Sequence, residues 1–397
     1  MMNNKFSIKD LTKKDLENKS VLVRVDFNVP IQENKVLDTT RIEASLPTIK
    51  YLLENNSKVI LISHLGRPKG KKDLKYSLKP VYDFIKNNLN MNIIFLDDCI
   101  GENVELEIKK QSYPSLILLE NVRFYPEEEK NDRNFSEKLS KLADIFVNDA
   151  FGTAHRSHSS TVGVAEFLPT YCGFLMEKEI NFLSKALNPE KPFVAIIGGA
   201  KVSSKIGVLK NLINKTDTLI IGGAMTYTFL KALGKNVGNS FVENDYLVTA
   251  REIIELAQKN NCNLFLAKDH VVAESIDSEN TTIVDDIPNN LSAFDIGNKS
   301  IDEIIKILSN AKTIVWNGPL GVFEKPQFEN GTKKVALFLS TLKEKGVTTI
   351  VGGGDSVAAI EKFNLTDKFS HVSTGGGASL EFLEGIELPG IKVIKDK

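Results

Sequence analysis

Short runs of Val, Ile, Leu and Phe alternate along the chain with longer stretches of helical spacing. In the first half, Val21–Val29, Lys58–Ser63, Asn92–Leu96, Leu116–Leu119 and Ile145–Val147 predict strands. In the second half, Phe193–Ile197, Thr218–Ile221, Asn263–Ala267, Thr313–Trp316, Thr348–Val351 and a short run at His371–Ser373 do the same. Runs that are apolar at consecutive positions imply strands buried on both faces, hence parallel sheets covered by helices. Between them Thr40–Glu54, Phe135–Leu142 and Val248–Lys259 space their apolar residues as amphipathic helices. The pattern is βαβ repeated in two blocks. It predicts an α/β chain of two doubly wound, Rossmann-like parallel-sheet domains. Phe167-Leu-Pro-Thr170 breaks the pattern, and Gly173–Leu187 then reads as one amphipathic connecting helix ending before Asn188-Pro189. With no flexible Gly/Ser linker, domain motion would need a few hinge residues.

Composition narrows the class. A chain of 397 residues exceeds what one core usually supports. Its 50 Lys+Arg balance 51 Asp+Glu, for a formal charge of −1, so neither a nucleic-acid coat nor a polybasic membrane binder is expected. Anion sites must come from local clustering. Cys99, Cys172 and Cys262 lie far apart and form no C-x-x-C pair, which suits reduced thiols in the cytosol. Met1–Leu11 is polar and no apolar run reaches membrane-helix length, so a cytoplasmic, non-membrane protein is expected.

Ligands of open parallel sheets bind beyond the carboxyl ends of the strands. There the first half offers Asp26 and Asn28, then His64-Leu-Gly-Arg67, Arg123 and His155-Arg156, with Arg41 close behind the first loop. Arginine forks match carboxylate and phosphate oxygens. The second half offers glycine instead: Gly198-Gly-Ala-Lys201, Gly222-Gly-Ala224, Asn317-Gly-Pro-Leu-Gly321, Gly352-Gly-Gly-Asp355 and Gly375-Gly-Gly377. Glycine lets backbone N–H groups approach phosphates, and a following helix N-terminus favours negative charge. Lys201 and Lys205 can meet phosphates, and Asp355 can hold Mg²⁺. Other motifs fail. Asp26-Phe27-Asn28 has no accompanying kinase catalytic loop, and neither a P-loop nor a dinucleotide fingerprint occurs. His64, His155 and His158 lack a metal-site pattern, and Glu127–Glu129 reads as a solvated loop or helix start.

The strand-end segments resemble the phosphoglycerate kinase family over essentially the whole chain. The amino-terminal signatures are Arg24–Pro30, Ser63–Pro68, Glu120–Phe124 and Asn148–Arg156; the carboxy-terminal ones are Gly198–Lys205, Trp316–Glu324, Gly352–Ser356 and Ser373–Ser379. Asn298 stands where the family pattern has proline. The resemblance implies reversible transfer of the acyl phosphate of 1,3-bisphosphoglycerate to Mg·ADP, giving 3-phosphoglycerate and ATP. It implies a triose site of Asp26, Phe27, Asn28, Arg41, His64, Leu65, Gly66, Arg67, Arg123 and Arg156. The implied nucleotide site is Gly199, Ala200, Lys205, Gly223, Gly297, Asn317, Glu324 on the ribose, and Gly353, Gly354, Asp355 and Ser356, with Asp355 on the metal. Arg41, Lys201, Gly375 and Gly376 would face the transferring group, and His64 would be a substrate hydrogen-bond partner.

The expected organisation is a triose-binding domain at 1–172 to which 380–397 return, a connecting helix at 173–188 and a nucleotide-binding domain at 189–379. Closure about the helix ends and Thr374 would bring donor and acceptor in line, in a monomer. Two rivals are weighed. A dehydrogenase would also use glycine turns but lacks its fingerprint. A non-catalytic anion-binding protein would need no Mg²⁺ ligand such as Asp355.

Overall fold

The computed structural model describes residues 4–397 and divides them into two compact units, 4–181 with 387–397, and 182–386. In the first unit, β1 (Ser20–Arg24) leads into a small hairpin, β2 (Ile31–Gln32) and β3 (Lys35–Val36). Then follow β4 (Lys58–Ile62), β5 (Ile93–Leu96), β6 (Ser115–Leu119), β7 (Ile145–Asn148) and β8 (Thr170–Cys172). All but the hairpin form one parallel sheet in the order β5-β6-β4-β1-β7-β8. Successive side chains bury on opposite faces, as consecutive apolar residues require. Val21, Val23, Val59, Leu61, Leu116 and Leu118 fill one core, and Leu22, Ile60, Ile62, Ile117, Leu119 and Phe146 the other.

Register decides where the loops emerge. Arg24 pairs with Ile62 on one side and Asn148 on the other, so β1, β4 and β7 end level. The segments after them therefore open on the same rim. Residues 387–397 belong to this unit: Phe6 N donates to Lys395 O at 3.0 Å and Gly390 N to Ala154 O at 2.8 Å.

The second unit repeats the scheme with β9 (Phe193–Ile197), β10 (Thr218–Ile221), β11 (Asn263–Phe265), β12 (His270–Ala273), β13 (Thr282–Val284), β14 (Ser292–Ile296), β15 (Thr313–Asn317), β16 (Thr348–Gly352) and β17 (His371–Val372). Its parallel sheet runs β11-β10-β9-β15-β16-β17. Counted by order of appearance among its members this is the 3-2-1-4-5-6 order of doubly wound nucleotide-binding sheets, whose switch point lies between β9 and β15. Ile197, Asn317 and Gly352 sit level across it. The remaining strands form an antiparallel sheet, β13-β12-β14, which the periodicity did not announce, and β8 was likewise hidden in the apparent break at Phe167–Thr170.

The predicted strand Val21–Val29 stops at Arg24. Val25, Phe27 and Val29 do alternate inward to the core. Val25 N still donates to Ile62 O of β4 at 3.1 Å, but beyond it the backbone leaves the ladder, with Phe27 N donating to Ser63 Oγ at 2.9 Å and Val29 N to Phe27 O at 2.9 Å. The amphipathic helix expected at Gly173–Leu187 occupies Phe174–Leu187, and Asp149 Oδ1 accepts from Met176 N in its first turn at 3.1 Å. All three cysteines are free and buried. No helix among the described residues is long and apolar enough to cross a membrane.

Candidate active site

On the first unit's rim the loop after β1 turns Asp26 and Asn28 toward the loop after β4. Asn28 Oδ1 accepts from Gly66 N at 2.9 Å, and Asp26 Oδ2 accepts from Arg41 Nη1 at 2.8 Å. Arg41 Nη1 also reaches Asn28 O at 3.3 Å. The turn at Gly66 needs glycine: its φ is +60°, and a Cβ there would lie 2.4 Å from the Tyr76 ring. Asn121 braces the same loop, donating from Nδ2 to Leu65 O and Tyr76 O, both at 2.8 Å. Arg123 is buried and donates from Nη1 to Gly66 O at 2.9 Å, with its Nε 3.3 Å from a Glu129 oxygen. Arg156 is half-buried and donates from Nε to His155 Nε2 at 3.2 Å, while Arg67 is exposed.

His64 sits at the centre of this charge. It is buried, and burial first, then Arg24, Arg123, Arg41 and Arg156, hold its pKa well below the ordinary histidine value. The ring is therefore neutral at pH 7. His158 is likewise pushed down, by burial first and then by Arg123, Arg24 and Arg156, to about 4. One expectation is corrected. Glu127–Glu129 do start a short helix, Pro126–Glu129, but Glu128 is fully buried rather than solvated. Its carboxylate accepts from Ser160 Oγ at 2.5 Å and from Ser160 N at 2.9 Å.

The second unit carries a cavity of about 510 Å³ at its switch point. Gly199, Ala200, Gly223, Glu324 and Asp355 line it, as expected of nucleotide-site candidates. The turns that frame it touch backbone to backbone: a Cβ on Gly198 would lie 2.0 Å from Pro319 O, and one on Gly318 would lie 2.1 Å from Gly198 O. Lys205 Nζ donates to Asn317 Oδ1 at 2.7 Å; its pKa is lowered by burial, against the pull of Asp355 and Glu384. Asn317 Nδ2 is buried without a protein partner, a donor available to an incoming acceptor. Ser356 Oγ accepts from Gly318 N, and Gly353 lies against the Asn317 amide. Asp355 and Gly354 occupy the first turn of the helix Gly354–Lys362.

Nine candidates lie outside this cavity's lining: Lys205, Asn317, Gly353, Gly354 and Ser356, described above, and Gly297, Lys201, Gly375 and Gly376. Gly297 caps the helix Asn298–Leu308 and packs on Asp269. Lys201 is exposed, Gly375 N donates to Ser373 Oγ at 3.1 Å, and Gly376 precedes the seven-residue helix Gly377–Leu383. The structure adds residues that no motif pointed to. Tyr227, Phe241, Ile276 and Phe294 wall the cavity, and Phe241 and Ile276 are large apolar side chains left half in solvent. Exposed apolar residues are not visible as such in a sequence.

Comparison with known proteins agrees with these features. The family model for phosphoglycerate kinase matches residues 8–386. The phosphoglycerate kinase of Fervidobacterium nodosum is 54% identical over 398 residues, covering 99% of each chain. That of Finegoldia magna is 53% identical, over 99% of this chain and 100% of its own. Among solved structures, phosphoglycerate kinase from Coxiella burnetii superposes with a TM-score of 0.89 at 42% identity, and that from Pyrococcus horikoshii with 0.83 at 32%, each over 98% of both chains. Two Rossmann-like parallel sheets, an arginine rim after β1, β4, β6 and β7, and glycine turns at the β9–β15 switch thus stand in a chain that belongs to the phosphoglycerate kinase family.

Proposed function

We propose that the first unit binds the triose and the second the nucleotide, and that the chain transfers the acyl phosphate of 1,3-bisphosphoglycerate to ADP, reversibly, as a glycolytic phosphotransferase with a carboxyl acceptor. The observation that supports this division best is the contrast between the two rims: arginine forks around a neutral histidine on one, glycine turns and an apolar-walled cavity on the other. Both substrates are polyanions, so each needs its own cationic or N–H-lined cradle. Arg67, Arg123 and Arg156 would hold the triose with Asp26 and Asn28, and His64 would donate to a substrate oxygen. Phe27, Leu65 and Gly66 shape that loop. Gly199, Ala200, Gly223 and Gly353 would approach the nucleotide through backbone, with Lys205, Asn317 and Ser356 near its phosphates and Glu324 near its ribose.

Phosphoryl transfer has a loose transition state whose charge spreads over three equatorial oxygens, so catalysis is mostly positioning and charge stabilisation. Arg41 and Lys201, with the Gly375–Gly376 turn, are assigned to those oxygens. The attacking ADP oxygen is already ionised and no general base is required in that direction. Direct transfer in one in-line step also needs the two cradles to meet and water to be excluded, so closure is part of the proposal.

Among the described residues no group of three or more His, Cys, Asp or Glu is placed to hold a metal ion. A hard cation that arrives on nucleotide phosphates needs only one or two carboxylates, and Asp355 on the cavity wall fits that requirement. Bound there, Mg²⁺ would neutralise phosphate charge. The test is a coupled assay of ATP formation from 1,3-bisphosphoglycerate with and without Mg·ADP. Turnover that needs both supports the assignment; none with both present would refute it.

A further inference from the structure

The apolar strand β1 ends in a charge. Arg24 has no exposed surface, and a guanidinium stays protonated even when buried, so its donors need acceptors. Nε donates to Ser160 Oγ at 2.9 Å and Nη1 to Val25 O, while Nη2 lies 3.1 Å from His64 Nδ1. Ser160 passes the load on, donating from Oγ and N to the buried Glu128 carboxylate at 2.5 and 2.9 Å. The counter-charge of Arg24 thus reaches it through a serine. That leaves Nη2 for the histidine.

The consequence falls on His64. A ring nitrogen facing an obligate donor must be an acceptor, so Nδ1 carries no proton and the single proton of the neutral ring sits on Nε2. Asp26 Oδ1 would favour the opposite tautomer, but at 4.0 Å from Nδ1 it is beyond hydrogen-bond reach, and its other oxygen is taken by Arg41. We infer that Arg24 is a positioning residue that locks His64 as its Nε2–H tautomer, so that the ring presents a donor to an oxygen of the triose substrate, with Ser160 and Glu128 holding the guanidinium in place. This rests on the assignment of the first rim as the triose site.

The test uses the full chain with ¹⁵N-labelled histidine. Long-range ¹H–¹⁵N correlation at pH 7 reports the tautomer of each of the 5 histidines, and loss of one pattern in His64→Gln identifies His64. The expected pattern is neutral with the proton on Nε2, and Nε2 should shift when 3-phosphoglycerate is added. An Nδ1–H or cationic pattern overturns the role of Arg24 even if 3-phosphoglycerate moves the signal. An Nε2–H pattern that 3-phosphoglycerate leaves unmoved overturns donation to substrate and places the fault in the triose-site assignment. Arg24→Lys keeps the charge but loses the fork. It should mix the tautomers and raise KM for 3-phosphoglycerate about tenfold or more while lowering kcat less. If that variant folds with the tautomer and KM of the parent, Arg24 is only structural; if it does not fold, the wild-type spectrum still decides.

Discussion

Arg41 shows how a residue's contacts separate binding from catalysis. Both of its hydrogen bonds, to Asp26 Oδ2 and Asn28 O, use Nη1, so the outer part of the fork is available to an anion while the side chain is already held. A pre-positioned cation aimed at developing charge stabilises the transition state more than the ground state. Arg41→Ala is expected to bind both substrates within a modest factor of wild type yet lose about 10³–10⁵ in kcat, roughly 4–7 kcal/mol. Steady-state kinetics beside direct binding decides it: a steep rise in KM for 3-phosphoglycerate with kcat kept would make Arg41 a binding residue only. The metal assignment is testable in the same way. Asp355→Asn replaces a hard anionic ligand by a neutral amide and should weaken the apparent Mg²⁺ affinity about tenfold or more in a metal titration of activity. An unchanged titration would move the ion to another carboxylate.

Elements carry the next predictions. The helix Asn298–Leu308 begins where proline is favoured, because the first N–H has no intrahelical partner. Gly297 before it has φ −84° and ψ 179°, an extended backbone that a following proline accepts. Asn298→Pro should therefore raise stability by about 0.4–1 kcal/mol, or ~1–4 °C in Tm, at the small loss of the exposed Lys334 contact. In β14, burial pushes the Asp295 carboxyl up to about 7, against the Gly331 and Ile296 N–H groups that favour its charged form. The folded state holds this proton after the unfolded state has released it near the ordinary Asp value. Asp295 thus lowers stability progressively as pH rises from about 4 to 7. Relative to wild type, Asp295→Asn should melt progressively higher across that range; a Tm difference independent of pH would exclude the shift. His270, on the neighbouring β12, has the opposite sign: burial lowers it to about 4, and its contribution is lost as pH falls from about 6.5. The long parallel strands were legible because apolar residues on both faces leave a continuous run. β13 was not, since Thr282 and Ile283 are exposed and nothing in its pattern implies burial. Nor was Glu128: its partner Ser160 lies 32 residues along the chain, and an acidic triplet reads as solvated until that contact exists. Residues 25–29 misled for a subtler reason: they alternate like a strand, yet Phe27 N bonds to a serine side chain and Val29 N to Phe27 O instead of to a neighbouring strand.

At the scale of the whole molecule, each unit has its own parallel sheet and its own buried clusters, and each set of candidate ligands hangs from one sheet. Such half-sites should bind their ligands independently before any closure. The arginine rim was readable from strand ends alone; the cavity walls Phe241 and Ile276 were not, because their role depends on exposure created by the fold. Lys205 offers the cleanest separation, since its ammonium contacts Asn317 in the second unit and its nearest acidic influences, Asp355 and Glu384, lie there too. Calorimetric titration of Lys205→Ala with 3-phosphoglycerate alone and with Mg·ADP alone is the decisive measurement. Loss of a charge-assisted phosphate contact should raise the Kd for Mg·ADP about tenfold or more and leave that for 3-phosphoglycerate within about twofold. An equal loss of both affinities would contradict the division of the site between the two units.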